Sequence, residues 1–527
     1  MKQEGWLSTP GLLVCLCLGT LEPAQGGKVL VMPVEGSSWL SMELLVRELS
    51  LRGHEVVVLV PETSLLIKDS DYYRTQTFHV PYSQAEMTGS LNTLKHSVFL
   101  KPPTMGDVLV NVERILNFTS FQIKGCEGLL YDQPLMERLR DEGFELMLTD
   151  PFLPCGSIIA HAISLPVVYF LRGIPCGLDE KANQCPLPPS FVPRFFTGNT
   201  DHMDFLQRVK NVFMAVVEEF LCWKLFAGFD ESASRYLGQD ITYKELIGQG
   251  AIWLLRYDFT FEYPRPFMPN MIHIGGINCG KRNSLPAELV KFVEESGEHG
   301  FVVFTLGSLV SEMPKEKATQ FFEAFRQIPQ RVVWRYTGPL PDNLPENVKL
   351  MNWLPQNDLL GHPKARAFIT HGGTHGIYEA ICNGVPMVML PLFGDQSDNV
   401  HRMVYRGVGE ALDIFTVTTA KLLKALNKVI NDKSYKEKMM KLSAVHNDRP
   451  IEPLDLAVFW TEFVMRHKGA DHLRTAAHEL NWVQYHSLDV IGLLLLIIVT
   501  VVMVTVKCCT FCFFKCCARK TLKKKEE

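Results

Sequence analysis

Residues 28–61 read KVLVMPVEGSSWLSMELLVRELSLRGHEVVVLVP. Residues 28–34 form a continuous apolar run closed by Glu35-Gly36, the pattern of a strand buried on both faces of a parallel sheet. Residues 40–51 carry apolar side chains at helical spacing and stop at Gly53. Residues 55–60 return to a β-branched run that Pro61 closes. Strand, helix, strand in this order is the unit of a doubly wound α/β fold, since a parallel neighbour requires a crossover.

Working outward, residues 145–149 predict a strand that delivers Asp150 at its carboxyl end, and residues 165–171 predict another. Between 204 and 223, Phe205, Val209, Val212, Phe213, Val216, Phe220 and Leu221 recur on one helical face. That face is expected to be core or the roof of a cavity rather than a membrane patch. A second nucleotide-fold pattern starts near Gly300. Strands are expected at 301–306, ended by Gly307-Ser308, and at 331–336, 348–351, 367–370 and 386–390. The glycine-rich, polar stretch GGINCGKRNS (275–284) marks a hinge. The expectation is two Rossmann-like domains facing a cleft, at 27–283 and 284–487, the second including closing helices. In such sheets ligands lie outside the carboxyl ends of the strands.

The two ends read differently. Lys2, the short apolar run 12–21 and the small residues Ala24 and Gly26 predict a secretory signal over 1–26. Residues 490–506 (VIGLLLLIIVTVVMVTV) are uncharged and predict a membrane helix, assigned to 488–506, about 25 Å long at 1.5 Å per residue. The CCTFCFF run after Lys507 can extend it. Trp482 and Tyr485 sit where an interfacial aromatic belt is expected, and the basic tail 507–527 is expected to be cytoplasmic. The tail ends in KKEE, like a dilysine retrieval signal. Cys508, Cys509, Cys512, Cys516 and Cys517 lie at this boundary, open to palmitoylation. On the lumenal side stand Cys126, Cys155, Cys176, Cys185, Cys222, Cys279 and Cys382, an odd number that cannot all pair within the chain. Their spacing fits no zinc pattern, and buried thiols are the expectation. Asn117-Phe118-Thr119 is a glycosylation sequon. With 53 basic against 57 acidic side chains and a net charge of −4, the chain lacks the basic excess of a nucleic-acid binder.

Chemistry concentrates in the second half. Trp353-Leu354-Pro355-Gln356 precedes His371-Gly372-Gly373, then Glu379, Gly384-Val385-Pro386 and Pro391-Leu392-Phe393-Gly394-Asp395-Gln396. In order and spacing this closely resembles the signature of the UDP-glycosyltransferases. The neighbouring SGEHG, GHPKARAFITHGG, DRPIEPLDLAVFW and EFVMRHKGA look like the vertebrate UDP-glucuronosyltransferases of family 1. The resemblance covers essentially the mature chain and is densest from Ser296 onward. It implies the two-domain GT-B fold and an inverting transfer from UDP-glucuronate, with no cofactor and no metal. On this reading Trp353 stacks on uracil, Gln356 bonds around the base or ribose, and Glu379 accepts from ribose hydroxyls. His371 and Gly373 lie where a strand gives way to a helix, whose N-terminus can hold a diphosphate. Ser308 adds a phosphate or cleft contact, Asp395 and Gln396 serve the sugar hydroxyls, and His375 and Arg335 line the nucleotide site.

The same resemblance places the acceptor and the base in the first domain. The family's catalytic pair is a histidine after the first strand and an aspartate that orients it. Asp150, in TDPF, matches the aspartate, but Ser38 stands where the histidine belongs. A serine hydroxyl cannot act as base near neutral pH, and an unshifted carboxylate is weak in that role. The substitution leaves open an amine acceptor, an already ionised acid or phenol, and a weakly active or non-catalytic chain that modulates active relatives. UDP-glucose as donor is a further alternative. Arg256, in WLLRYDF, is a candidate for the glucuronate carboxylate, with a plain salt bridge as its other reading. His54 and His161 are expected to be structural. The expected partners are UDP-glucuronate, a small lipophilic acceptor, the membrane through one anchor, and similar chains as oligomer partners. The endoplasmic reticulum membrane, with both domains lumenal, is the expected location.

Overall fold

The computed structural model describes residues 26–89, 99, 105–280 and 282–523. Most of the expected signal, residues 1–25, and the terminal KKEE lie outside them.

Two parallel sheets form the body of the molecule. The first runs β3-β2-β1-β4-β5-β6-β7. Its strands are β1 Lys28–Met32, β2 Glu55–Pro61, β3 Arg74–Phe78, β4 Leu146–Thr149, β5 Val167–Leu171, β6 Ile252–Leu255 and β7 Met271–His273. The second runs β10-β9-β8-β11-β12-β13. It is built from β8 Phe301–Thr305, β9 Arg331–Arg335, β10 Val348–Met351, β11 Ala365–Thr370, β12 Met387–Met389 and β13 Gly409–Ala411. Central strands such as β4, β5 and β8 are buried at every position, which is why they read as unbroken apolar runs. In each sheet the order turns back beside its first strand, at β1/β4 and at β8/β11. Such switch points open crevices at the strands' carboxyl ends.

Helix α1 (Ser37–Leu51) follows β1 and buries Trp39, Met42, Leu45, Val46 and Leu49 against the sheet. Helix α2 (Phe205–Leu237) lies in the first half. Helices α3 (Thr374–Cys382) and α4 (Gln396–Tyr405) carry donor-motif residues in the second. Helix α5 (Pro453–His467) crosses back, and its Ala457, Val458, Val464 and Met465 pack into the core of the first sheet with Val29, Val31 and Leu146. The stretch 275–284 is no loose tether. The Asn278 amide donates to the His375 carbonyl at 3.0 Å, and Cys279 is disulfide-bonded to Cys382 of α3.

Several expectations are corrected. The seven cysteines between the two ends are not a set of buried thiols: Cys126–Cys155, Cys176–Cys222 and Cys279–Cys382 are disulfides, and Cys185 alone of the seven stays buried and free. The apolar face of α2 is not core. Phe205, Val209, Val212, Phe213, Val216, Phe220 and Leu221 are all exposed. Strands β3, β6, β7 and β13 were not anticipated; β7 and β13 are only three residues long, too short for periodicity to register. The C-terminal helix α6 (Leu488–Lys523) is longer than the assigned span. Its apolar part, Leu488–Cys516, includes Lys507 and the CCTFCFF run; its most apolar 18-residue stretch has mean hydropathy 2.8 and holds no buried residue. This fits a single membrane anchor.

Candidate active site

At the carboxyl end of the first sheet, Asp150 follows β4 and Ser38 sits in the first turn of α1. The Ser38 hydroxyl donates to Asp150 Oδ2 at 2.5 Å, and the Phe152 N–H donates to Asp150 Oδ1 at 3.0 Å. The Ser38 hydroxyl and the Asp150 carboxylate are therefore paired side by side at the mouth of the first sheet. Burial pushes the Asp150 carboxyl above the usual carboxylate range; the Ser38 and Phe152 bonds and the nearby Arg256 only partly offset it.

Arg256 follows β6, is buried, and donates from Nη1 to Ser41 Oγ at 3.1 Å. Among the described residues it has no carboxylate within ion-pair distance, so the plain salt-bridge reading is not what is observed. Burial lowers its pKa, while Asp150 and Asp395 lie near enough to oppose that. Ser41 Oγ also meets His375 Nδ1 at 3.1 Å, and His375 Nε2 lies 3.3 Å from Glu379 Oε1. Gln356 Nε2 donates to Glu379 Oε2. A polar chain therefore runs Arg256–Ser41–His375–Glu379–Gln356 from one domain to the other.

On the second sheet, His371 follows β11 directly and lies against two glycines. A Cβ at Gly307 or Gly373 would come within 2.6 Å of its ring, and Gly307 has φ +90°, so glycine is required there twice over. Burial lowers the His371 pKa to about 4, leaving a neutral imidazole, and its Nδ1 has no partner among the described residues. Gly373 immediately precedes α3, so the α3 N-terminus faces this imidazole. Ser308 Oγ comes near Gly36 of the first domain, where a Cβ would stand 4.0 Å away.

Trp353 is half exposed, with the Arg335 guanidinium 5.0 Å from its ring centroid. Arg335 directs its donors at backbone carbonyls, Asn352 at 3.1 Å, Ser308 at 3.2 Å and Gly307. It therefore ties three loop carbonyls beneath Trp353 rather than presenting a free charge. Gln396 likewise uses its amide oxygen on the Leu392 and Phe393 N–H groups. Asp395 accepts from Asn399 at 2.9 Å and stays partly open.

Sequence reasoning missed Arg172, the first residue after β5. Its Nη2 lies 2.5 Å from Glu262 Oε1, its Nε lies 4.0 Å from Asp395 Oδ2, and its guanidinium covers the Tyr257 ring at 4.6 Å. Glu262 also faces Arg402 of α4 at 3.6 Å. Burial alone would raise the Glu262 carboxyl, but Arg172, Arg402 and Arg265 outweigh it and hold it at about 2. The signal available was position: ligand-side residues stand at strand carboxyl ends. His54 and His161 are structural: His54 Nδ1 accepts from the Gly27 N–H, and His161 meets Gln249 and Gln239. Asn117 is exposed on the helix Met105–Leu130.

Two parallel sheets, with a polar site drawn from both, define a glycosyltransferase of the GT-B class. The solved structure of the glycosyltransferase VinC in complex with DTDP shares this fold at TM-score 0.55 and 18% identity, over 84% of this chain and 100% of that one. The profile of the UDP-glucoronosyl and UDP-glucosyl transferase family matches residues 27–524, and the chain belongs to that family. Among its relatives, a UDP-glucuronosyltransferase of Pleuronectes platessa is 56% identical over 83% of this chain and 93% of its own. UDP-glucuronosyltransferase 1A1 of Rattus norvegicus is 54% identical over 92% of this chain and 91% of its own.

Proposed function

We propose that this chain transfers glucuronic acid from UDP-glucuronate to small lipophilic acceptors, with Asp150 as the base acting through Ser38. The observation that carries the reading is the Ser38–Asp150 hydrogen bond, which couples a hydroxyl at the cleft to a carboxylate of raised pKa. An unshifted carboxylate is a poor base; one raised by burial holds a proton more readily and suits general-base work better. As the acceptor oxygen attacks the anomeric carbon, the bond to UDP breaks and its electron pair leaves with UDP. The acceptor proton passes to Ser38 Oγ while the Ser38 proton passes to Asp150. Attack opposite the leaving group inverts the centre, giving a β-linked product from an α-linked donor.

The donor side is assigned to Trp353, Gln356, His371, Gly373, His375, Glu379, Asp395 and Gln396, with Ser308 at the cleft wall. Arg335 supports Trp353 from below. Arg256, a buried cation without an ion pair among the described residues, is the favoured partner of the glucuronate carboxylate or the diphosphate. Residues 27–283 and 284–487 are taken as the two domains. The reticulum lumen is the proposed setting, with Asn117 glycosylated and association with similar chains in the membrane.

The deciding assay uses microsomes bearing the wild-type chain, Ser38→His or Asp395→Ala, supplied with UDP-glucuronate and matched phenol, amine and carboxylic acid acceptors. Wild type is expected to glucuronidate phenols above the Asp395→Ala background, and Ser38→His to raise that rate. Donor binding without turnover in both Ser38 forms would favour the non-catalytic alternative; turnover with UDP-glucose alone would change the donor. Trp353→Ala is expected to raise KM for the donor roughly 5- to 100-fold, the worth of one base–aromatic stack, with acceptor KM little changed in bisubstrate kinetics.

A further inference from the structure

Helix α2 is amphipathic in the wrong sense for a water-facing helix. Toward the protein it buries Asn211 and Glu218: Asn211 bonds to the backbone of Pro189, Val192 and Arg194, and Glu218 to the Phe195 N–H and Arg194. Outward it presents Phe205, Val209, Phe213, Val216, Phe220 and Trp223, each at least half exposed and spaced by three or four residues. No described residue covers this stripe, about 27 Å long at 1.5 Å per residue. A contiguous apolar face of this size marks contact with a membrane or a protein.

The anchor decides between them. The helical turn Trp482–Tyr485 leads almost directly into α6, which starts at Leu488. The Tyr485 hydroxyl donates to the Gln184 carbonyl at 3.2 Å, pinning the point of membrane entry to the segment just after the short helix Leu178–Ala182. The 3-10 turn Pro175–Gly177 that opens this segment is stapled to α2 by Cys176–Cys222. Bilayer, entry point and α2 are thus held in one unit, and exposed Trp482 stands where interfacial aromatics stand.

We infer that α2 lies in the plane of the bilayer the anchor crosses, with the Phe205-to-Trp223 stripe at the headgroup–acyl boundary on the catalytic side. An in-plane helix of this kind buries its apolar face several ångströms into the leaflet. The molecule then rests on the membrane rather than hanging from one helix.

The test uses the full chain reconstituted in phosphatidylcholine vesicles containing a trace of phosphatidylcholine with a diazirine on one acyl chain. After irradiation, lipid adducts are mapped by peptide mass spectrometry. Adducts are expected on peptides spanning 205–223 as well as on 488–516. In the triple variant Phe213→Glu, Phe220→Glu, Trp223→Glu, adducts on 205–223 should fall at least tenfold with anchor labelling unchanged. Because all three side chains are exposed, the melting temperature in detergent should hold. Adducts confined to the anchor in wild type overturn the proposal, as does labelling of 205–223 that survives the triple substitution. Helix-to-helix cross-links between chains that persist on dilution into excess lipid would overturn it in favour of a second copy as occupant.

Discussion

Asp150→Asn removes transfer to hydroxyl acceptors, lowering kcat/KM by about 10²- to 10⁴-fold near neutral pH, while the melting temperature holds or rises. Asparagine keeps the shape and can still accept from the Phe152 N–H, so the loss reports the proton acceptor rather than the fold. The stability half follows from linkage. The folded-state pKa of Asp150 lies above its unfolded value, so folding favours the protonated carboxyl. That contribution is present below the unfolded value of about 3.9 and is lost as pH rises through the folded one. At neutral pH the ionised group therefore weighs against folding, and a neutral isostere relieves it. In the wild type, kcat/KM for hydroxyl acceptors should fall with acidity at a pH above the ordinary aspartate range. In Ser38→His the inflection should move toward that of an imidazole. A pH profile of the two proteins decides this; unchanged activity in Asp150→Asn would sink the relay.

Glu262→Gln destabilises the protein by about 3–5 kcal/mol, the cost of breaking a buried ion pair from one side. Glu262 is flanked by Arg172 at 2.5 Å and Arg402 at 3.6 Å, and its side chain is almost wholly buried. The glutamine leaves two buried guanidiniums without their carboxylate. Arg172 follows β5 of the first sheet and Arg402 belongs to α4 of the second half, so the damage falls on the contact between domains. With a folded pKa of about 2, the Glu262 contribution is present above the unfolded value of about 4.3 and is lost as pH falls toward 2. Thermal melts from pH 6 to pH 3 should show a shallower acid limb in Glu262→Gln. Pairing the substitution with Arg172→Met should lose less than the sum of the two single changes, because Arg172 and Glu262 are then removed together and only Arg402 is left without its carboxylate.

Most of the proposed donor residues could be picked out because they lie in one run, 353–396, whose order and spacing carry the resemblance; Arg256, Ser308 and Arg335 lie outside it. Asp150 was legible because an apolar run ending in a carboxylate places that carboxylate at a strand's carboxyl end. The Arg172–Glu262–Arg402 cluster was not legible as a cluster, since its members are distant in sequence and each alone reads as a surface charge. The α2 stripe was legible as a helix face but was assigned to the wrong side. Periodicity says which residues share a face, not which way that face turns.

By itself the sequence determined the two doubly wound sheets, the C-terminal apolar helix and the ordered motif run 353–396 that carries the family resemblance, with Ser38 after the first strand. All of these are written in local order, where the 3.6 and 2.0 periods and short spacings operate. Only the tertiary structure decided that Ser38 meets Asp150, that six cysteines pair, that Arg256 has no salt bridge among the described residues, and that α2 turns its apolar side outward. Those outcomes depend on burial and on atoms brought together from remote parts of the chain, and desolvation and pairing exist only once the fold has excluded water around them.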